Sequence, residues 1–268
     1  LIGKFIEQYY AIVVYEDLRE YDVKDLAGAI LSHWNLIYQR KSGESKVHVY
    51  NPSDEANGWQ STHTIIDIAH DDMPFLVDSV RMEVARRNIS IHFIVHPGGI
   101  RVKRNSQFQI IDILPRHEEA PESIVEAPLH FEINRISDVK SVKAIEEDIQ
   151  QVLSDVRSAV NDWQKMSDQM EFCIEDLKKN SPLLGHDEIN ESILFLEWLM
   201  RNNFTFLGFR DYELVGKDQD EALRIIDNTG LGVLSDSTHS LIYRAISGMP
   251  PEVQKLIHSP QILIIAKT

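Results

Sequence analysis

The sequence predicts an α+β chain: a ferredoxin-like βαββαβ module with a helical N-terminal extension, followed by a second mixed α/β module. Three observations lead there. Hydrophobic residues at 43% and charged residues at 26% are the proportions of a chain that buries a core. Between Thr62 and Trp163 the apolar pattern runs strand, helix, strand, hairpin strands, strand, helix. Helical stripes precede that stretch, and a mixture of helices and strands follows it.

The extension, residues 1–60, opens with Ile2, Phe5, Ile6, Tyr9 and Tyr10 at three- and four-residue spacing, which is a helix. Asp22 is the N-cap of a second helix whose stripe is Leu26, Ala29, Ile30, His33, Trp34 and Ile37. Gly43 breaks it, and Val47–Tyr50 reads as a short strand before the turn residues Asn51, Pro52 and Ser53.

The core module, residues 61–167, begins with a strand over Thr62–Ala69, Ile66 and Ile68 on one face and Ile65 and Asp67 on the other. Asp71 and Asp72 then cap a helix with Pro74 in its first turn, where a missing N–H costs nothing. Met73, Leu76, Val77, Val80 and Val84 form its stripe. Ile89–Val95, Ile100–Lys103 and Phe108–Ile113 are strands, with Pro97-Gly98-Gly99 as a turn. The acidic, proline-bearing stretch 117–128 reads as a loop, and His130–Ile136 as the next strand. Asp138 opens a long helix. Its residues Val142, Ile149, Val156 and Trp163 fall seven apart, which suits an amphipathic helix over a sheet and also a helix–helix seam. The closing strand of the unit has no obvious place.

The second module, residues 168–268, carries helices at Asp168–Lys178 and Glu188–Arg201, the latter capped by Asp187. Strands are expected at Phe204–Tyr212, Leu223–Ile226, Leu241–Tyr243 and Ile262–Ala266, and a short helix from Pro250-Pro251. The start at Leu1 and the apolar run near the end suggest a piece of something longer.

Charge narrows the partners. With 27 basic and 42 acidic residues the net charge is −15, the wrong sign for a phosphate backbone or an anionic membrane. One cysteine, Cys173, permits neither an internal disulfide nor a thiolate zinc site, and fits a cytoplasmic setting. No apolar run has the length of a membrane span.

Motifs with chemistry are few. Gly230-Leu231-Gly232 lacks the third small residue of a dinucleotide fingerprint, since Ser235 stands there, and reads as a turn. His92 and His96, four apart on one strand face with His130 nearby, are better sheet histidines than metal ligands, so no metal site is assigned. The loop Asp71, Asp72, Met73, Pro74, Phe75, Leu76 is the candidate effector site. A helix N-terminus offers N–H groups to a carboxylate and an aspartate takes an ammonium, although plain helix capping explains the same residues.

The string from His70 to Val80 (HDDMPFLVDSV), followed by Arg86–Ile91 (RRNISI), resembles the ACT domain, a small amino-acid-sensing module. More closely, the chain resembles the N-terminal region of the large bacterial NAD-specific glutamate dehydrogenases. Supporting strings are Leu31–Trp34 (LSHW), Lys46–Pro52 (KVHVYNP), Asn57–Gln60 (NGWQ) and Trp198–Phe209 (WLMRNNFTFLGF). The resemblance implies a parent enzyme that deaminates glutamate to 2-oxoglutarate with NAD, while this region holds no catalytic residue and no cofactor. It implies a regulatory or oligomerisation role in a homo-oligomer, with the rest of the enzyme as partner and a small amino acid as effector. A stand-alone ACT-type amino-acid sensor is the alternative. ACT ligand loops usually read Asp-x-Pro-Gly. Here Asp72 and Pro74 match, and Phe75 stands in place of the glycine.

Overall fold

A computed structural model describes residues 1–118, 120–180, 185–216, 221–235 and 244–257. The chain divides into two compact units, Leu1–Val156 and Arg157–Thr268.

Unit 1 is a sheet covered on both faces. Its strands are β1 (Lys46–Tyr50), β2 (Thr64–Asp71), β3 (Ile91–Val95), β4 (Ile100–Arg104), β5 (Ile110–Ile113) and β6 (Ser123–Ile133). They lie in the order β1-β2-β6-β4-β5, with β3 also on β6, and every pairing is antiparallel. Strands β3 and β4 share one edge of β6, Val95 opposite His130 and Ile100 opposite Glu126. They form one interrupted strand, and Pro97-Gly98-Gly99 is the interruption. Both glycines have positive φ, 75° and 83°. At Gly99 a Cβ would meet Val125 at 2.7 Å, so glycine is required there.

Strand β6 corrects the loop expected over 117–128, because it begins at Ser123 and runs straight through Pro128. A proline inside a central strand normally removes a ladder bond. Here the missing N–H falls where no partner stands. Val125 C=O accepts from Asp72 N on the β2 side, and Asn134 N donates to Ser90 O on the β3 side. The alternation therefore turns even-numbered residues of β6 toward β3 and β4, and Pro128 meets the gap between them.

The helices are α1 (Ile2–Tyr9), α2 (Tyr15–Leu18), α3 (Val23–Tyr38), α4 (Asp54–Asn57), α5 (Leu76–Arg86) and α6 (Val139–Asn161). Asp22 caps α3 as expected, accepting from Lys24 N at 2.7 Å. Helices α1 and α3 cover one face: Phe5, Tyr9, Ile30 and Ile37 pack with Ala69, Val95, Ile100, Val102, Ile110 and Ile113. Helices α5 and α6 bury Leu76, Val80, Val84, Ile145, Ile149 and Leu153. Arg87 donates to Ala144 O, and Val49 N donates to Glu146, which ties α6 to β1. Of the seven-residue stripe, Ile149 and Val156 are buried in α6, whereas Trp163 lies beyond that helix and is half exposed. Coverage on both sides buries every residue of β2 except Asp71.

Residues 1–60 share this core with the residues that follow. Strand β1 occupies the edge of β2, and α6 leads into α7 (Trp163–Lys179).

Unit 2 contains α7, α8 (His186–Trp198), a π-helical turn at Leu199–Asn203 and α9 (Pro251–Ile257). Ile174, Leu196 and Leu199 form its apolar cluster. Strands β7 (Gly208–Phe209) and β10 (Leu231–Gly232) make one small sheet; β8 (Tyr212–Val215), β9 (Ala222–Ile225) and β11 (Arg244–Ala245) make another. Of the Gly230–Gly232 segment, Leu231 and Gly232 form β10, and Gly232 N donates to Asp162 at 2.9 Å. The strands expected at 241–243 and 262–266 lie outside the described residues.

Candidate functional site

The expected ligand loop joins β2 to α5, and its two aspartates do different things. Asp71 ends β2 opposite Glu126. Its carboxylate accepts from Arg40 at 2.8 Å and from Gly43 N at 2.9 Å. The same Arg40 guanidinium, wholly buried, lies 2.9 Å from Glu126, and Arg104 clamps Glu126 through two bonds of 2.7 Å. Two carboxylates and two guanidiniums balance in this knot, so burial leaves no charge without a partner.

Neither aspartate caps α5. The N-cap is Phe75, with no side-chain cap bond and a left-handed φ of 72°. Phe75 therefore holds the backbone conformation that the glycine of the ACT pattern provides, with its ring 49% exposed. Asp72 is exposed beside Gly99, and Met73 and Pro74 lead to Phe75. Leu76 is buried. The loop thus presents Asp72, Pro74 and Phe75 outward while Asp71 and Leu76 belong to the interior.

A second cluster, which the sequence showed only in scattered parts, lies between β2, β6 and α3. His33 donates from Nε2 to Ile68 O at 2.9 Å and accepts at Nδ1 from Tyr9 OH at 2.7 Å. His130 donates from Nδ1 to Asp67 Oδ1 at 2.6 Å, and Tyr50 OH donates to Asp67 Oδ2 at 2.9 Å. Glu132 Oε2 accepts from His63 at 2.8 Å and from Tyr21 OH at 3.2 Å. Its Oε1 stands 3.6 Å from His130 Nε2, an ion-pair separation beyond hydrogen-bond length.

Electrostatics sorts these groups. Burial pulls the His33 pKa down, more than Asp67 restores, so His33 is neutral. Burial also opposes charge on His130, but Asp67 and Glu132 outweigh it and push its pKa up to about 9. Burial likewise works against the carboxylates, yet the imidazoles hold Asp67 and Glu132 below their usual range. The ligand atoms of His33, Asp67 and His130 lie within 4.8 Å of one another, the only group with metal-ligand spacing among the described residues. Their lone pairs are engaged: Tyr9 holds His33 Nδ1, and a proton joins His130 to Asp67. A metal would have to displace both.

The outcome for the histidines differs from the sequence expectation. His96 lies beyond β3, and His92 stacks on His63 with ring centroids 4.4 Å apart. His130 instead meets His33 and a carboxylate from β2. The signal available in the sequence was Asp67 itself, an acid between Ile65-Ile66 and Ile68-Ala69.

Residues 5–149, more than half of the chain, match the family model described as the glutamate dehydrogenase ACT1 domain. The chain belongs to that family. It is 36% identical over its full length to the NAD-specific glutamate dehydrogenase of Halomonas elongata, of which it spans 17%. It is 35% identical over 78% of its length to the enzyme of that name from Pseudomonas aeruginosa, covering 13% of it. The mixed fold and antiparallel sheet of unit 1 agree with an ACT-type domain. The ACT1 match includes the Arg40 knot, the Asp72 loop and the buried histidine cluster.

Proposed function

We propose that this chain is the N-terminal regulatory and scaffolding region of a cytoplasmic NAD-dependent glutamate dehydrogenase. The parent would convert L-glutamate, NAD and water to 2-oxoglutarate, ammonia and NADH, with the cofactor and the chemistry in another part of the polypeptide. One observation carries this reading: an ACT1 match on a chain that spans 17% and 13% of two glutamate dehydrogenases. Among the described residues no helix is long and apolar enough to cross a membrane. The test is NADH absorbance with glutamate and NAD. The purified chain should give none and the full-length gene product should turn over; robust turnover by the chain alone would refute the reading.

The fold supports a ferredoxin-like interpretation in which β1, from before the unit, takes the edge a closing strand would fill. Regulation is assigned to the loop, with Asp72 and the backbone before α5 as the effector contact. Asp71, Met73, Pro74, Phe75 and Leu76 shape it. Calorimetry with a panel of amino acids on wild type and Asp72→Ala decides this; absent heats in both would leave the loop structural.

Self-association is the further part of the reading, favoured by the outer edge of β3. Among the described residues that strand pairs only with β6, and a groove beside it is lined by Asp78, Arg81 and Met82 of α5 and by Ile91 and His92. An open edge with opposite charges next to it suits a two-fold contact. Ile94 stands opposite Phe131, whose N–H and C=O turn to β2, so the Ile94 N–H faces outward and Ile94→Pro should lower the solution mass of the folded protein. An unchanged mass rejects this edge.

A further inference from the structure

Helix α8 is apolar on two sides. On one, Ile193, Leu196 and Leu199 pack with Met170, Ile174 and Leu177 of α7. On the other stand Leu194, Phe195 and Trp198, brought together by a spacing of one and four residues. These three are 65%, 42% and 49% exposed, although aliphatic and aromatic side chains are those a fold gains most by burying. Phe195 and Trp198 stack on each other, centroids 5.9 Å apart and planes at 15°, so they form one surface. Phe204 and Leu207, which follow the π-helical turn, are also more than half exposed.

A helix that is apolar all round belongs in an interior, and a contiguous exposed apolar face marks a contact surface. Glu197, next to Trp198, is paired within unit 2, 3.5 Å from Lys178 and 3.8 Å from Arg201. The face therefore offers a partner apolar area and not charge. A net charge of −15 repels an anionic bilayer, which sets a lipid surface aside. The chain spans only 17% and 13% of the two glutamate dehydrogenases, so most of each of those polypeptides lies outside the matched region. Apolar surface on the same polypeptide is held close by the chain itself and meets this face more often than a second copy does from free solution.

We propose that the Leu194–Trp198 face of α8 is the surface on which another domain of the same polypeptide docks, through an apolar face of its own. This rests on the reading that the chain is part of a longer enzyme. The contact fastens unit 2 to the remainder of that enzyme and gives α8 the second layer that its outer side chains require.

Hydroxyl-radical footprinting read by mass spectrometry, on the purified chain and on the full-length gene product, is the test. Trp198 and Phe195 should be labelled at least about threefold less in the full-length product than in the chain, because the centre of a contact excludes water. That protection should not change with concentration. Leu194→Glu places a charge in the face; it should restore Trp198 labelling in the full-length product and leave it unchanged in the chain. Leu196, buried on the inner side of the same helix, reports the fold by staying weakly labelled in each sample. Equal Trp198 labelling in the two wild-type proteins overturns the proposal. So does low labelling in the dilute chain, which would mean that its own residues cover the face. Labelling that falls as the chain is concentrated would make the occupant a second copy and overturn it too. If the isolated chain does not fold, the full-length pair decides, and a Trp198 signal that Leu194→Glu fails to raise refutes the contact. If the variant does not fold, the two wild-type proteins decide. Glutamate-dependent NADH formation is measured on the same full-length preparation; its absence ends the dehydrogenase reading and leaves the footprint standing.

Discussion

His130 donates to Asp67 across the centre of the sheet at 2.6 Å, with both side chains almost wholly buried. The bond joins neighbouring strands β2 and β6, so the charge state of one imidazole bears on the pairing of the two longest strands.

That relationship fixes a pH dependence. The His130 pKa is raised to about 9, so its contribution is full below the ordinary histidine value and is lost as pH rises through about 9. The His33 pKa is lowered by burial, so stability also falls as pH drops below the ordinary histidine value. Urea midpoints should peak near neutrality and decline on both sides. His130→Gln should flatten the alkaline limb; a limb as steep as wild type would assign it to other groups.

Arg40 is buried between Asp71 and Glu126. Arg40→Ala leaves Asp71 without its cationic partner and takes one of two from Glu126, a loss of about 3–5 kcal/mol by analogy with broken buried pairs. Arg40→Lys keeps the charge but not the fork, and should fall between. Denaturant titration of the three proteins gives the order.

Phe75 holds φ at 72° with half its ring in solvent. A glycine there relieves strain of about 1 kcal/mol, and Phe75→Gly should be neutral or stabilising. Phe75→Val puts a β-branched residue in the same conformation and should cost about 1–2 kcal/mol. Equal melting temperatures for both would deny that the backbone conformation matters.

Gly28 sits in the middle of α3, where alanine normally gains about 1 kcal/mol. Here a Cβ would lie 2.3 Å from Trp59, whose indole donates to Ser32 at 3.0 Å. Gly28→Ala must push the indole off the helix and should destabilise by about 2 kcal/mol or more. Trp59 fluorescence should shift toward that of an exposed ring; an unshifted spectrum would show that the helix moves instead.

Much of unit 1 was legible because local patterns agreed with the fold. The stripe of α3 and its Asp22 cap, the two faces of β2 and the buried face of α6 follow from spacing alone. Pro128 hid the first half of β6, because a proline argues against a central strand unless the neighbouring strand is known to be interrupted. Asp71 and Asp72 looked like caps since nothing near them announces Arg40, 31 residues earlier. The histidine cluster showed only in scattered parts for the same reason. Its members come from α3, β2 and β6, and only the sheet register brings them together.

The edge position of β1 has a consequence for synthesis. Lys46 pairs with Ala69, so the hairpin of β1 and β2 can form early on a growing polypeptide. Thr64 pairs with Ile133, so the other edge of β2 stays bare until nearly seventy further residues have been made. An unpaired strand edge waits through that interval, and it is there that a nascent chain would most need shelter from its neighbours.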